Sequence, residues 1–600
     1  MEADKTFLLY RQIAGVIRLA RRAYGPYKLQ ILTLTALGFV GALLEGIGIN
    51  AVIPLLTSVL GLHNPATDMI SQAIQTFFGW MHVPFVPRYL LAFIVLLFII
   101  KAAVSLLLGY IQLLITTTYE QKTRSGLFSM ALNASWPYLL RQKLGNLETL
   151  LMIDTPASMS LLGKMSATIM LITSLIMYLI IAFSISASVT LATFALGLVV
   201  FTGLRRSTAR VHTLSRERAN LFRDMTHHVT EHIGGLKTVK ALGVESAAIA
   251  RGDGLFNGIK NLAVRIQLLQ QIAGQAIPPI GVIYIAAILA LAFKTPFISF
   301  AALPAILYLI YRIFTYVQQL QNNVQSMSEY APHLERVVSY EDMSNGAREV
   351  TSGTQSFSFR GELAFEHVCF SYNSRGAVLN DVSFTVPKGS MVGIIGPSGA
   401  GKTTSVDLML RLLVPSSGAI KLDGIDVREM SLSEWHRKVG YVSQDLFLVH
   451  DTIRNNIKFY DEGISDSDIW KAAEMAHIAD FIRKCPTGLE TQVGERGITL
   501  SAGERQRIVI ARALARKPEI LILDEATSSL DNESEAHIKR VIEELKGNIT
   551  IVAIAHRLST IMDSDTLVVL QGGRVVETGA PRDLLGNTDS YFYKVYSINQ

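Results

Sequence analysis

The chain has 600 residues, half of them hydrophobic and only 17% charged, with a net charge of +6 and two cysteines; this excludes a disordered chain, a collagen-like repeat and a disulfide scaffold. The first 345 residues carry 27 Lys and Arg against 16 Asp and Glu, and the remaining 255 carry 28 against 33, so a basic, oily part precedes a mildly acidic, ordinary one. The basic residues flank apolar runs instead of clustering on a polar domain, which favours a bilayer as partner and excludes nucleic acid.

In chain order, residues 1–28 interleave Arg11, Arg18, Arg21, Arg22 and Lys28 with Leu8, Ile13, Ile17 and Leu19, as in a helix lying on a membrane surface. No cleavable signal peptide is read there. Residues 29–343 form the expected transmembrane domain, because a span needs ~20 mostly apolar residues. Six runs qualify: Leu29–Leu60, Leu90–Thr118, Ser166–Phe183, Ser188–Leu204, Ile272–Phe293 and Phe297–Ile313. The segments 1–28, 119–165 and 205–271 hold most of the basic residues, while the alternate loops hold only Arg88 and Lys294. Lys and Arg stay on the cytoplasmic side, so both termini are expected there, and the two long inside loops read as helices extending out of the membrane. Residues 344–360 read as a linker. Residues 361–600 alternate short β-rich runs with helical patterns, predicting an α/β domain with a largely parallel sheet. Strands are expected at Leu363–Phe370, Val382–Val386, Met391–Ile395, Ile420–Leu422, Ile520–Leu523, Ile549–Ala553 and Thr566–Leu570. Cys369 and Cys485 lack metal-ligand spacing and read as free thiols of a reducing compartment.

Gly396-Pro-Ser398-Gly399-Ala-Gly401-Lys402-Thr403 fits G-x-x-x-x-G-K-[ST] between the strand at Met391–Ile395 and a helical pattern from Thr404. Such glycines let backbone N–H groups curl around phosphate, the lysine reaches the β- and γ-phosphates, and the threonine hydroxyl ligates magnesium. Ile520-Leu-Ile-Leu-Asp524-Glu525 is an apolar strand ending in two carboxylates, Asp524 for the magnesium shell and Glu525 to polarise an attacking water.

Leu500-Ser501-Ala502-Gly503-Glu504, between these motifs, resembles the signature of ATP-binding-cassette (ABC) ATPases. Gln444 resembles the Q-loop glutamine, Ser528-Ser529-Leu530-Asp531 the D-loop, His556 the switch histidine and Tyr372 the aromatic that stacks on adenine. Thr491–Gly497 resembles a segment typical of ABC exporters. The resemblance implies six membrane helices followed by one cassette, a half-transporter of the type IV exporter fold. In fold class it is a membrane all-α domain followed by a cytosolic α/β P-loop ATPase. It also implies MgATP as cofactor, with Tyr372, Ser398, Thr404, Ser501, Gly503 and Asp531 completing the nucleotide site, Gln444 joining Thr403 and Asp524 at the metal, and Glu525, Gln444 and His556 catalytic. A cassette cannot present its own signature to its own phosphate loop, so a dimer follows, most simply a homodimer. Two departures stand out: Ala502 replaces a glycine and Glu504 the usual glutamine. Ser135–Gly145 and Gly234–Glu245 occupy the places of coupling helices.

Three features bear on the substrate. Polar stripes run at helical spacing, Tyr308, Arg312, Thr315 and Gln319 in the sixth span and Gln267, Gln271 and Gln275 leading into the fifth. Arg312 is read either as a cavity cation or as a snorkelling residue at the boundary, and Glu45, among Gly38, Gly41 and Gly48, either as a paired carboxyl in close helix packing or as a substrate contact. Asp68–Met81 sets Ile70, Ile74, Phe77 and Phe78 on one side of a short helix, lying in the outer interface or packed as an ordinary loop. That helix and the run Ala42–Leu56 resemble bacterial flippases for lipid-linked oligosaccharides. The expectation is a multi-pass protein of the bacterial inner membrane, its cassette cytoplasmic, that exports or flips an amphipathic substrate, preferably an anionic lipid-linked oligosaccharide or related lipid. A multidrug or peptide exporter is the alternative, and a non-transporting regulatory ATPase stands further off.

Overall fold

A computed structural model describes residues 18–52, 54–55, 69–142, 144–292, 303–346, 353–372, 376–525, 532–554 and 561–598. The chain divides into two compact units, one of residues 1–134 and 138–348, the other of residues 135–137 and 349–600.

The first unit is helical. Its principal elements are α1 (Lys28–Asn50), α2 (Met69–Trp80), α3 (Pro87–Leu132), α4 (Thr155–Ile185), α5 (Ala187–Gly203), α6 (Arg205–Gly234), α7 (Glu245–Gln275), α8 (Ile277–Ala292) and α9 (Leu303–Gly346). Among the described residues, five helical stretches are long and apolar enough to cross a bilayer: Arg18–Asn50, Pro87–Leu132, Asn146–Ile185, Ala187–Gly234 and Glu245–Leu291. Of the sixth expected run, residues 297–302 lie outside the described residues and Leu303–Ile313 opens α9, so six spans are not confirmed. The 46 residues of α3 reach roughly 69 Å at 1.5 Å per residue, about twice the hydrocarbon thickness. This is how the long inside loops are built: the spans continue as helices past the membrane. Leu91, Ile99, Leu106 and Leu113 stand exposed along α3, an apolar face that suits lipid.

Small residues bring α1 close to its neighbours. A Cβ on Gly46 would lie 2.1 Å from Ile181 Cδ1 of α4, so the missing side chain lets the tip of Ile181 pack against the α1 backbone. The described end of the N-terminal stretch is pinned by aromatic residues: Tyr24 is buried, donates to the Ser158 carbonyl at 2.8 Å and meets Tyr119 edge-on at 5.1 Å. On α2 the expected single apolar side divides. Ile74 and Phe78, one turn apart, are buried against Ala51 and Leu90, while Phe77 is 40% and Trp80 77% exposed. Phe77 sits at the edge of the cluster, tilted against Phe93 at 5.7 Å. The expected linker also begins too early. Ser344–Gly346 complete α9, because Val337, Val338 and Tyr340 keep the last turns of that helix packed.

The second unit holds two sheets, not one. Strands β1 (Glu362–Phe370), β2 (Leu379–Pro387), β4 (Ser417–Leu422) and β5 (Ile425–Asp426) form an antiparallel sheet in the order β2-β1-β4-β5. Strands β3 (Met391–Ile395), β6 (Val439–Val442), β7 (Ile520–Asp524), β8 (Thr550–Ile554), β9 (Thr566–Gln571) and β10 (Arg574–Gly579) form the other, in the order β10-β9-β3-β8-β7-β6. Within it β9, β3, β8, β7 and β6 pair in parallel and β10 is an antiparallel edge. Every residue of β3, β7 and β8 is buried, the continuous apolar signature of strands covered on both faces. The largely parallel expectation holds for this sheet; the antiparallel one corrects it.

Candidate functional site: a phosphate loop and a charged membrane cavity

The phosphate loop leaves the carboxyl end of β3 and enters α10 (Lys402–Met409), where ligands bind in open α/β sheets. Gly396 has φ +153°, and a Cβ there would stand 2.1 Å from the Leu570 carbonyl oxygen; any side chain would push the loop off the sheet. Lys402 is 7% exposed and its Nζ donates to the carbonyl oxygens of Gly396 at 2.8 Å and Pro397 at 3.1 Å, holding the cation inside the loop. Burial lowers its pKa, opposed by the nearby carboxylates of Glu525 and Asp524. Thr403 is exposed and Thr404 buried on the first turn of α10, with the Tyr372 hydroxyl 3.5 Å from Thr404 Oγ1.

Strand β7 delivers Asp524, 4% exposed, to the same edge. Glu525 follows at φ +51°, a left-handed conformation that costs a non-glycine residue about 1–2 kcal/mol and that collects at functional positions. Its N–H donates to the Ile554 carbonyl at 2.9 Å, and Gln444 Nε2 donates to its Oε2 at 2.7 Å. Gln444, 81 residues away in sequence, thus aims the carboxylate that stands beside the phosphate loop. These donors fit MgATP: a buried lysine and curled N–H groups for phosphate, and a hydroxyl, a carboxamide and a carboxylate, from Thr403, Gln444 and Asp524, for magnesium. The ion, when bound, supplies charge neutralisation to the phosphates. Asp407, one helical turn further into α10, has its pKa pushed up to about 6 by burial and by Asp524.

Ser501 is the N-cap of α11 (Ala502–Ala515). Glu504 Oε2 accepts from Ser501 N–H at 2.7 Å and Glu504 N–H donates to Ser501 Oγ at 3.3 Å, a reciprocal capping box. The unusual glutamate therefore turns back onto its own helix end, where its charge suits the dipole, and the Ser501 hydroxyl keeps its proton to donate. Gly503 is buried behind it. Asp531 and His556 lie outside the described residues.

In the membrane unit, Glu45 is 3% exposed and doubly paired, with Lys101 Nζ at 2.5 Å and Arg312 Nη2 at 2.7 Å. The Arg312 guanidinium also lies over the Tyr316 ring at 5.0 Å and near Tyr178 at 5.9 Å. Of the two readings of Arg312, the ion pair supports neither snorkelling nor a free cavity cation. A cavity of about 510 Å³ opens beside the triad, lined by Glu45, Lys101, Lys164, Gln112, Asn322 and Tyr316 among others, and Arg312 and Tyr308 are not among its lining residues. Sequence reasoning missed Lys101 and Lys164. Their signal was a single lysine inside each of two apolar runs or at its edge. Lys164 is half-buried and has no ion-pair partner among the described residues.

The transporter architecture visible in this geometry is matched by comparison with known proteins. Residues 379–528 match the ABC transporter family model, and residues 51–295 match the model of the ABC transporter transmembrane region. The chain belongs to the ABC transporter family and is an exporter whose ATPase domain couples ATP hydrolysis to transport. Among its relatives, the heterocyst differentiation ATP-binding protein HepA of Nostoc sp. is 28% identical over 555 residues, 91% of this chain and 90% of that one. The ATP-dependent lipid A-core flippase of Thiobacillus denitrificans is 36% identical over 418 residues, 67% of this chain and 70% of that one. A bacterial Atm1-family ABC exporter with ATP bound has a similar structure, with a TM-score of 0.77 at 25% identity, covering 97% of this chain and 98% of the other.

Proposed function

We propose that this exporter flips an amphipathic lipid with a large, anionic polar headgroup, a lipid-linked oligosaccharide or a relative of it, from the cytoplasmic to the outer side of a bacterial inner membrane. The observation that carries the reading is the lining of the 510 Å³ cavity. Lys164 and the amides of Gln112 and Asn322 stand beside Leu108, Met170 and Leu171, with the Lys101–Glu45 ion pair at one wall and Tyr316 the one aromatic ring among the described lining residues. A multidrug site would be aromatic and apolar throughout; this one offers the Lys164 cation and amides to a headgroup and aliphatic side chains to a chain. The relatives that are lipid A-core flippases, 34–36% identical to this chain, are consistent with a lipid.

In the same proposal the working form is a homodimer, with Ser501 and Gly503 of one copy facing the phosphate loop of the other and with Asp531 at the junction. Glu525 polarises water, Gln444 and His556 position it, and residues 29–343 and 361–600 act as transport and motor domains. The test is ATP turnover in proteoliposomes with and without a polyprenyl diphosphate oligosaccharide. Stimulation by this lipid, and not by a panel of hydrophobic drugs or peptides, supports the reading. Stimulation by drugs or peptides alone contradicts it.

A further inference from the structure

Between α7 and α9, and sharing Asn322 with the larger cavity, lies a second pocket of about 210 Å³. Its polar walls are mostly carboxamides, Gln267, Gln271 and Gln275 from α7 and Gln318, Asn322 and Gln325 from α9, joined by the Ser326 hydroxyl and by Gln270, whose Nε2 donates to Glu329 Oε2 at 3.0 Å. The spacings of four, and of four then three, place each set on one helix face. No carboxylate, cation or aromatic ring stands among the described residues that line it.

Amides between membrane helices often serve as mutual glue, and two facts argue otherwise here. Gln267, Gln271 and Gln275 are exposed and pair with nothing among the described residues. Gln325 is fully buried, yet only its Nε2 finds a neighbour, Ser207 Oγ at 3.5 Å, and its Oε1 has no partner. Turning the amide over would leave the nitrogen unpaired instead, and an orphaned buried polar atom is costly. The groove is also built for close approach. A Cβ on Gly274 would come within 2.8 Å of Asn322 Oδ1, and the bare Gly274 carbonyl accepts from Gln318 Nε2 at 2.9 Å.

A carboxamide carries donors and an acceptor without charge, which matches a sugar hydroxyl, itself both donor and acceptor. The level is suitable as well. The apolar helix α8, 16 residues long and therefore about 24 Å, follows Gln275 directly, so the groove lies at the cytoplasmic end of that span in the orientation set by the basic loops. Lipid headgroups of the inner leaflet lie at that depth. We infer that this groove seats the carbohydrate of the substrate, while the anionic group bonded to that carbohydrate lies at Lys164 in the adjoining cavity. The inference rests on the lipid reading above and deepens it by giving the carbohydrate and the anionic group separate seats.

The test is the affinity of the full-length protein in nanodiscs for three probes: a polyprenyl diphosphate heptasaccharide, the bare polyprenyl diphosphate, and the free heptasaccharide. The wild type should hold the glycosylated lipid about tenfold or more tighter than the bare one, as expected for two or more added hydrogen bonds. Gln271→Leu with Gln275→Leu, both exposed positions, should erase most of that difference and leave the bare lipid unchanged. Lys164→Ala should weaken both lipids by a similar factor. Equal wild-type affinity for the two lipids, or a double variant that loses both alike, overturns the sugar groove while leaving the lipid reading intact. Binding of neither lipid overturns the lipid reading and this inference with it. Binding of the free heptasaccharide as tightly as the lipid-linked form supports the groove and overturns the lipid anchor.

Discussion

Replacing Arg312 by alanine separates two roles that one sequence position suggested. Glu45 is 3% exposed and shared by Arg312 at 2.7 Å and Lys101 at 2.5 Å. Removing one partner of a buried pair costs about 3–5 kcal/mol. Lys101 stays on the other carboxylate oxygen and the Arg312 side chain is 24% exposed, which brings the expected loss down to ~2–3 kcal/mol. The lost cation over Tyr316 and Tyr178 adds about 0.5–1 kcal/mol. The assay is thermal unfolding of the purified protein in detergent, where this loss should lower the midpoint by on the order of 5 °C. A double-mutant cycle with Glu45→Gln should return a coupling of about 1.5–3 kcal/mol. Arg312→Ala with wild-type stability and no coupling to Glu45 would refute the structural role and return Arg312 to the substrate.

Glu525→Gln should keep ATP binding and lose ~10²–10⁴ in turnover, measured by phosphate release beside nucleotide affinity, whereas Lys402→Ala should weaken both. Phe78→Ala, which opens the buried cluster around Ile74, Ala51 and Leu90, should destabilise the membrane unit by about 3 kcal/mol. Phe77→Ala, at the half-exposed edge, should cost well under half of that; equal losses in thermal unfolding would contradict the two-faced α2. Asp407 has a folded-state pKa raised to about 6, above the ~3.9 of an unfolded aspartate. The native protein binds its proton more tightly, so stability is lost as pH rises from about 4 to 6 and stays lost above. Asp407→Asn should therefore stabilise the cassette by about 1–2 kcal/mol at pH 7, after discounting for partial exposure, and by little at pH 4. A gain independent of pH would contradict this.

The nucleotide site was legible in the sequence because its chemistry is local. Gly396 to Thr403 must be contiguous to curl around phosphate, and an apolar strand ending at Asp524 and Glu525 announces itself by its run of buried residues. What the sequence did not show was distance folded into contact: Gln444 reaching Glu525 across 81 positions, or Lys101 and Arg312 meeting on Glu45. Of the antiparallel sheet, β1, β2 and β4 were legible as strands but not as a separate sheet, because pairing is not written in a local period; β5, with two residues, and β6 of the parallel sheet, with four, were too short for a period to register. On α2 the eye joined Phe77 to Phe78, but adjacent residues on a helix stand 100° apart and only one can face the core. The signature glutamate departs from the family pattern as a letter but fits the helix it begins. Its capping bond to Ser501 N–H at 2.7 Å gives Glu504 a local task that a sequence comparison with the usual glutamine does not display.

Flipping itself is the most direct test of the central claim. In proteoliposomes with the cassette facing outward and a polyprenyl diphosphate oligosaccharide in the outer leaflet, MgATP should drive the glycan inward, lowering the fraction that an added glycosidase can cleave. The Glu525→Gln protein should leave that fraction unchanged. A wild-type protein that hydrolyses ATP while the cleavable fraction stays constant would contradict the assignment of a glycolipid as its cargo.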